Sequence, residues 1–438
     1  MSAARNLLTT LLAVLLLAAC DDFHKEPQPP GGDPPVEDEE PLIEPEVIWE
    51  HDFDENRDIH RTFFVVSDGG TPYLTTNEHG TLGAKTAVIV LDPRTGLEKH
   101  RASLLAEGAS VEVRGIVPAA GDSAIAFGRY TQSGQALRSF AHRVMKDGTL
   151  PWGDRLLLEV PGHSLDVLGG TPAPDGGALL FGRLFNTTTK AEELWLAHVS
   201  PAGTIERTTR HAVDGQTIVA GAYTPTSPFP GEAMGALYLL RQVQSCADPA
   251  VSDPLDCGQV LHQAIIELVN VDDLSIATTL DGIRDPSPNE YYTDITATAA
   301  GDVYLVGWHE SEERMPDVLA FKYDKARGRL LWNTFGGMAD DRAYYAATAA
   351  GDTLLVGGTS LAAMGGKAGR WPKQTGDGRA FIAVIAPDLT LNWVHMPGNF
   401  DDTWILRGIA HHPDYGYFLA GVNKRGEHFI TRLERPED

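Results

Sequence analysis

The stretch Asn333-Thr-Phe-Gly-Gly-Met-Ala-Asp-Asp-Arg-Ala-Tyr-Tyr-Ala-Ala-Thr-Ala-Ala-Gly-Asp-Thr-Leu-Leu-Val-Gly-Gly358 holds two short apolar runs on either side of a Gly-Asp pair. The first run is Tyr345–Ala350, and the second is Thr353–Gly357. Gly and Asp both tolerate the positive φ values that two-residue hairpin turns require. This stretch therefore predicts a tight β-hairpin whose second strand ends at a glycine.

The hairpin pattern recurs along the chain. Its clearest second strands are apolar runs closed by Gly: Ser123–Gly128, Ala178–Gly182, Val303–Gly307, Thr353–Gly357 and Tyr417–Gly421. Two weaker copies of the hairpin occupy Phe63–Thr76 and Ile218–Leu240. A third, alternating segment follows each hairpin. A fourth begins after the next turn, often with a Trp, as in Leu150-Pro-Trp152, Leu330-Leu-Trp332, Leu391-Asn-Trp393 and Val47-Ile-Trp49.

Seven copies of about 56 residues, each with four short strands, predict an all-β fold, a seven-bladed β-propeller of four-stranded antiparallel blades. Blades packed in a ring bury the two faces that a lone sheet would expose. The last copy stops after its third strand. A segment with the pattern of a fourth strand lies at residues 47–53, before the first hairpin, where no copy precedes it. We therefore expect residues 47–53 to pair with the C-terminal strand and close the propeller.

Two motifs carry a resemblance to known repeats. Residues 333–358 resemble the bacterial SBBP-type β-propeller repeat, whose pattern begins with Gly-Gly and continues with Asp-Asp, and Tyr292–Gly307 and Arg407–Gly421 match it more loosely. Val88–Gly96 is similar to the PQQ-type repeat of quinoprotein dehydrogenases and lipoprotein propellers. The resemblance implies the propeller fold, and a role like that of the barrel-assembly accessory lipoprotein. It says little about activity, because one fold hosts many functions.

The N-terminus has the pattern of an export signal. Arg5 precedes the apolar run Leu7–Leu17, which is too short to span a bilayer. The ending Leu-Ala-Ala-Cys20 resembles the lipobox of bacterial lipoproteins. The resemblance implies a lipoprotein signal peptide at 1–19 and a palmitate-type lipid on Cys20. An ordinary secretory peptide cut near Ala19 is the alternative.

The remaining chain divides into two parts. Residues 20–46 are rich in Pro and acidic side chains, which predicts a disordered tether. Residues 47–438 form the predicted propeller. We expect the protein to be held in the bacterial cell envelope by the lipid on Cys20, at the inner or the outer membrane. Inside an oxidising envelope, the two remaining cysteines, Cys246 and Cys257, are expected to form a disulfide.

The chain of 438 residues has a formal net charge of −25, with 60 acidic and 35 basic residues. Nucleic-acid binding depends largely on Lys and Arg that neutralise phosphates, so this balance argues against a nucleic-acid partner. We expect a monomeric propeller whose partner is an envelope protein or a polysaccharide.

Long connections between second and third strands predict one elaborated face, because binding residues tend to lie on loops that a rigid scaffold positions. On that face, acidic links between blades could hold Ca²⁺ as a cofactor, or their carboxylates could make turn hydrogen bonds. The residues are Asp340, Asp341, Asp401 and Asp402. A basic cluster in a Gly-rich loop could grip an acidic partner or glycan, with its Trp as a stacking platform, or be a solvated loop: Lys367, Arg370, Trp371, Lys373 and Arg379.

Catalytic motifs are missing from the sequence. His309-Glu310 lacks the second His of a zincin site, and no nucleophile elbow, P-loop or dinucleotide fingerprint occurs. The sequence therefore favours a lipid-anchored, non-enzymatic propeller that binds or scaffolds a protein or polysaccharide. The alternative is a glycan-active lyase or hydrolase with its site at the mouth of the propeller channel.

Overall fold

The structure is a computed structural model. It describes residues 46–53, 62–80, 83–104, 108–212, 217–225, 235–247, 260–280, 290–311, 314–324, 329–335, 340–349, 352–361, 379–395, 405–422 and 428–434. The predicted signal peptide and all of the tether except Glu46 lie outside these ranges. The described residues contain 28 strands and no α-helix.

The strands, in chain order, are β1 (Val47–Phe53), β2 (Phe64–Val66), β3 (Pro72–Gly80), β4 (Gly83–Leu91), β5 (Glu98–Ser103), β6 (Ala109–Ala119), β7 (Ser123–Gln132), β8 (Arg138–Met145), β9 (Leu156–Leu158), β10 (His163–Pro172), β11 (Ala178–Asn186), β12 (Glu192–Val199), β13 (Ile205–Ala212), β14 (Thr217–Thr224), β15 (Ala236–Cys246), β16 (Val260–Asn270), β17 (Ile276–Leu280), β18 (Glu290–Ala297), β19 (Val303–Ser311), β20 (Arg314–Asp324), β21 (Arg329–Phe335), β22 (Asp340–Ala349), β23 (Thr353–Leu361), β24 (Arg379–Ile385), β25 (Leu391–His395), β26 (Ile405–His412), β27 (Gly416–Val422) and β28 (His428–Leu433).

These strands form seven four-stranded antiparallel sheets, which confirms the predicted seven-bladed β-propeller. From the centre outward, six sheets follow the chain: β2 to β5, β6 to β9, β10 to β13, β14 to β17, β18 to β21 and β22 to β25. The seventh has the order β26, β27, β28, β1, and β1 pairs with β28 from Val47 opposite Leu433 to Phe53 opposite His428. The innermost strands contact one another in the cyclic order β2, β6, β10, β14, β18, β22, β26 and β2 again.

The hydrophobic core is divided among the gaps between neighbouring sheets. Each of seven buried clusters takes its side chains mainly from two consecutive sheets. The second strands are buried on both faces, as in Ala178–Asn186, whereas outer strands such as Ile205–Ala212 are mostly exposed. This burial explains why the second strands read as continuous apolar runs.

The repeated turn and glycine have a clear structural basis. Gly121 and Asp122 both have positive φ, 71° and 54°, as the sequence pattern predicts for a two-residue hairpin turn. The glycine that closes each apolar run lies inside the second strand rather than at its end, and in β7, β11 and β19 it lies against the backbone of the innermost strand. A Cβ on Gly307, for example, would lie 1.7 Å from the carbonyl oxygen of Tyr291. Only glycine fits there without moving the backbone.

Each blade has two ends. We call the end that carries the connections between second and third strands and between blades the loop face, and the other end the turn face. Two connections predicted to be long are short hairpins: β3 and β4 pair up to Gly80 opposite Gly83, and β19 and β20 up to Ser311 opposite Arg314. The loop face is therefore less elaborated than the sequence suggested.

The repeated Trp residues differ in their roles. Trp49 and Trp393 are buried and contact Phe418 and Tyr417, respectively. Trp152 does not begin a fourth strand, because it lies in a turn before β9 and donates its indole N–H to Pro201 O of the next blade at 2.9 Å. Trp332, in contrast, is 43% exposed on β21.

Candidate functional site

Most of the predicted site residues lie outside the described residues. These are Cys20, Cys257, Lys367, Arg370, Trp371, Lys373, Asp401 and Asp402. Cys246 is the last residue of β15, and its disulfide with Cys257 stays a prediction. Arg379 begins β24 opposite Ser360, at the loop face. Within the described ranges, no helix is long and apolar enough to cross a membrane.

The acidic pair Asp340 and Asp341 begins β22 at the loop face. The carboxylate of Asp341 is fully buried and accepts a hydrogen bond from the hydroxyl of Ser360 on β23. Among the described residues, no group of three or more His, Cys, Asp or Glu side chains could hold a metal ion. Calcium binding with Asp401 and Asp402 stays a prediction, because those two residues are not described.

An aromatic cluster occupies the loop face where three blades meet. It consists of His262, Tyr291, Trp308 and Tyr344. The rings of Tyr291 and Trp308 are stacked, with centroids 4.9 Å apart and an interplanar angle of 15°. His262 lies 4.5 Å from Tyr291, and Tyr344 lies edge-on 5.7 Å from Trp308. The four rings therefore form one continuous aromatic surface.

Strand register positions this cluster. Tyr291 near the start of β18 lies directly opposite Trp308 near the end of β19, and cross-strand neighbours of this kind are close enough to stack. Tyr344 is the bulged residue of β22 in the next blade, and His262 lies in β16 of the preceding blade. Burial is the main reason why the pKa of His262 is lowered, so its imidazole is neutral at pH 7.

Polar groups border the aromatic cluster. The Arg342 guanidinium lies over the Trp308 ring at 5.2 Å from its centroid, and Glu310 Oε1 lies 3.8 Å from Arg342 Nη2. Among the described residues, the buried indole N–H of Trp308 has no acceptor. The pKa of Tyr291 is raised, mainly by burial and further by the nearby Glu310 carboxylate. Half-buried aromatic rings with a few convergent polar groups are typical of ligand sites.

The central channel is a second candidate site. It has a volume of about 510 Å³ and is lined by all seven innermost strands. Each innermost strand is the edge of its sheet, so backbone N–H and C=O groups face the channel. Six of these strands carry a β-bulge at the corresponding place, and bulges re-aim side chains. The bulged residues are Arg114, Leu168, Val219, Thr293, Tyr344 and Arg407.

The residue after the bulge is Gly or Ala in four of the six strands, but two neighbouring blades have Asp294 and Tyr345 there. Asp294 accepts backbone hydrogen bonds from Ile295 at 2.9 Å and from Ala346 of the next blade at 2.8 Å. Burial nevertheless raises the pKa of Asp294 to about 7. Its carboxyl group therefore changes charge near neutral pH.

Tyr345 lies between Asp294 and the cationic side of the channel. The Arg407 guanidinium is within hydrogen-bonding reach of its hydroxyl. The pKa of Tyr345 is raised, mainly by burial, with Asp294 adding to the effect and Arg407 opposing it. The channel thus joins a carboxyl group, a phenol and a guanidinium from three consecutive blades.

The sequence predicted the channel mouth as the site of the alternative function, but it predicted none of the residues that form either candidate site, although one signal was present. Relative to the bulge, Tyr291-Tyr292 stands where other repeats have Glu112-Val113 and Asp166-Val167, and Tyr344-Tyr345 stands where they have Arg114-Gly115 and Leu168-Gly169. Large polar side chains at a repeat position that is otherwise small or aliphatic indicate a function specific to those blades. His412, in contrast, makes local hydrogen bonds, with Asp68 O at 3.0 Å and the Asp414 N–H at 3.2 Å.

No protein-family model and no curated protein matches this sequence. Solved structures with a similar chain path include the polysaccharide lyase Uly1, at 10% identity and a TM-score of 0.47, with 86% of this chain and 90% of that chain covered. They also include Kuenenia stuttgartiensis hydrazine synthase, at 9% identity and a TM-score of 0.48, with 88% of this chain and 99% of that chain covered. The β-propeller domain of the Trilobed protease from Pyrococcus furiosus is similar at 8% identity and a TM-score of 0.48, with 87% of this chain and 97% of that chain covered. These likenesses carry no argument about function, and the seven sheets themselves define a β-propeller.

Proposed function

We propose that the protein is a cell-envelope β-propeller, anchored through a lipid on Cys20, that binds polysaccharide through the aromatic cluster. The observation that carries this proposal is the stacked pair Tyr291 and Trp308, bordered by Arg342 and Glu310. A sugar ring has apolar C–H faces and polar hydroxyl edges. An aromatic surface next to charged side chains matches both parts.

The indole N–H of Trp308 supports a polar ligand in particular. A buried donor without an acceptor costs about 1 to 3 kcal/mol, and a ligand oxygen that reaches it recovers part of that cost. Arg342, with a side chain 34% exposed, can donate to hydroxyl or acidic groups at the edge of the ring surface.

The basic loop predicted from the sequence also favours polysaccharide binding at the loop face. Residues 362–378 connect β23 with β24, and these strands meet at the loop face, where Thr359 pairs with Arg342. Lys367, Arg370, Trp371 and Lys373 lie within that connection in the sequence, next to Arg379, and cations together with an indole ring suit an acidic polysaccharide.

The test is binding of defined polysaccharides to the purified full chain, measured by calorimetry with polygalacturonate and dextran as probes. Trp308→Ala should weaken binding at least about tenfold, because it removes both the stacking surface and the donor. Trp332→Ala is the matched control, since Trp332 is exposed on the outer strand of the same blade. Trp308→Phe keeps a ring and should have an intermediate effect. Equal binding by wild type and Trp308→Ala, or no binding of either polysaccharide to wild type, would contradict the proposal.

A glycan-active enzyme at the channel is the second candidate, supported by Asp294 and Tyr345. A carboxyl group with a pKa of about 7 can both give and take a proton near neutral pH. The phenol beside Arg407 is a second group that can exchange a proton. Release of reducing ends from polygalacturonate or dextran by the wild type, and its loss in Tyr345→Phe, would establish this function. Without turnover by the wild type, this candidate is rejected.

A further inference from the structure

The cationic side of the central channel has an unusual feature: Arg407 has no counter-ion among the residues that the structure describes. In the part of the chain that the structure describes, no carboxylate lies within ion-pair distance of its guanidinium, and its neighbour is the Tyr345 hydroxyl. Its Nε is buried and has no acceptor among those residues. Charges inside proteins are ordinarily paired, because removing an ion from water is costly.

A second guanidinium lies at the same level of the channel. Arg114 and Arg407 are the bulged residues of β6 and β26, the innermost strands on either side of β2. Arg114 pairs with Glu112, with Nε 3.2 Å from Oε1, whereas no described carboxylate forms such a pair with Arg407. The two bulges therefore give this side of the channel a net positive charge at one height.

The space around these cations suits a small polar molecule. The volume of about 510 Å³ falls within the range of about 300 to 1,000 Å³ that ligand pockets occupy. The glycines after the bulges, Gly115 and Gly408, pack against the side chains of Phe127 and Phe64, which also line the channel. Thr171, Thr296 and Thr348 line the same channel, and the strand edges add backbone donors and acceptors. The channel wall therefore combines apolar side chains, among them Phe63, Ile116 and Phe181, with hydroxyl groups and backbone donors and acceptors, a combination that suits a sugar ring.

From these observations we infer that the central channel binds a sugar acid, with its carboxylate on the Nε and Nη groups of Arg407 and its hydroxyls on the threonines and strand edges. A guanidinium matches a carboxylate with two parallel N–H donors, and such charged pairs are among the stronger hydrogen bonds. Arg114 adds attraction from across β2. This site is separate from the aromatic cluster and does not depend on the proposed function of that cluster.

The experiment compares galacturonate with galactose, which carries a neutral hydroxymethyl group in place of the carboxylate. Calorimetry on the purified full chain should show binding of galacturonate and at least about tenfold weaker binding of galactose. Arg407→Gln should reduce galacturonate affinity at least about tenfold, because it removes the charge and the fork of donors. Arg210→Gln is the matched control, since Arg210 lies exposed on the outer strand β13 beside Glu193.

Folding of the variants is checked by their melting temperatures, and Arg407→Lys provides a second variant that keeps the positive charge but not the fork of donors. This variant should bind galacturonate more weakly than the wild type does and still prefer it to galactose. Trigalacturonate distinguishes the source of the acid: tighter binding than the monomer indicates the acidic unit of a polymer, and equal binding indicates a free sugar acid. Equal affinity for galacturonate and galactose, or unchanged galacturonate affinity in Arg407→Gln, would overturn the inference. Loss of galacturonate binding in Trp308→Ala but not in Arg407→Gln would also overturn it.

Discussion

Replacing Asp294 by Asn should change how the stability of the propeller depends on pH. The Asp294 carboxyl lies in the channel wall between two blades, and burial raises its pKa from 3.8 to about 7 in spite of two backbone N–H donors. The folded protein therefore holds a proton that the unfolded chain releases between those two values. Holding this proton stabilises the folded protein. The contribution to the free energy of unfolding is fully present below pH 3.8 and is lost as the pH rises through 7.

The size of the effect follows from the shift. One pKa unit corresponds to about 1.4 kcal/mol, so a shift of this size amounts to about 4 kcal/mol between pH 4 and pH 8. Asn has no titrating proton and should remove this dependence. A lost hydrogen bond to Ala346 would shift the stability of Asp294→Asn by a constant amount and leave its slope with pH unaffected.

The assay is urea unfolding of the purified full chain at several pH values from 4 to 8. The free energy of unfolding of Asp294→Asn, minus that of the wild type, should rise by about 4 kcal/mol across this range. Other titrating groups are common to both proteins and cancel in the difference. Asp388→Asn is the control: the pKa of this exposed turn carboxylate is lowered by its hydrogen bonds to Thr390, so its effect has the opposite sign and falls below pH 4. A difference that stays constant with pH would refute the reasoning.

Two further changes test the packing of the blades. Gly307→Ala should lower the melting temperature strongly, because its Cβ would lie 1.7 Å from Tyr291 O. Gly134→Ala is the control: a Cβ there has no atom within 4 Å, so this change should lower the free energy of unfolding by only about 1 kcal/mol. Equal effects of the two changes would contradict the close approach at Gly307. Arg241→Met should cost about 3 to 5 kcal/mol in urea unfolding, because it leaves the buried Glu267 carboxylate without its partner. Arg241→Met combined with Glu267→Leu should recover most of that loss, and failure to recover it would show that the ion pair is not the cause.

Local patterns predicted the fold because the fold is a repeat of local units. The apolar runs, the Gly-Asp turns and the closing glycines each report a conformation set by near neighbours. Trp152 shows the limit of this approach. Its place after an apolar residue resembled the start of a fourth strand, but its indole N–H contacts Pro201 of another blade. A contact between blades is invisible in the repeat itself.

The candidate sites lay beyond that limit for the same reason. Asp294, Tyr345 and Arg407 stand in different repeats, and each looks unremarkable in its own strand. They meet because the ring places equivalent bulges of consecutive blades side by side around one channel.

The amino-acid sequence alone determined seven copies of a four-stranded unit, since hairpin turns and strand burial depend on residues close together in the chain. The tertiary structure alone decided which side chains share the loop face and the channel. Those contacts join residues far apart in sequence, and the energies of the Arg407 guanidinium and the buried Asp294 carboxyl depend on what surrounds them in space.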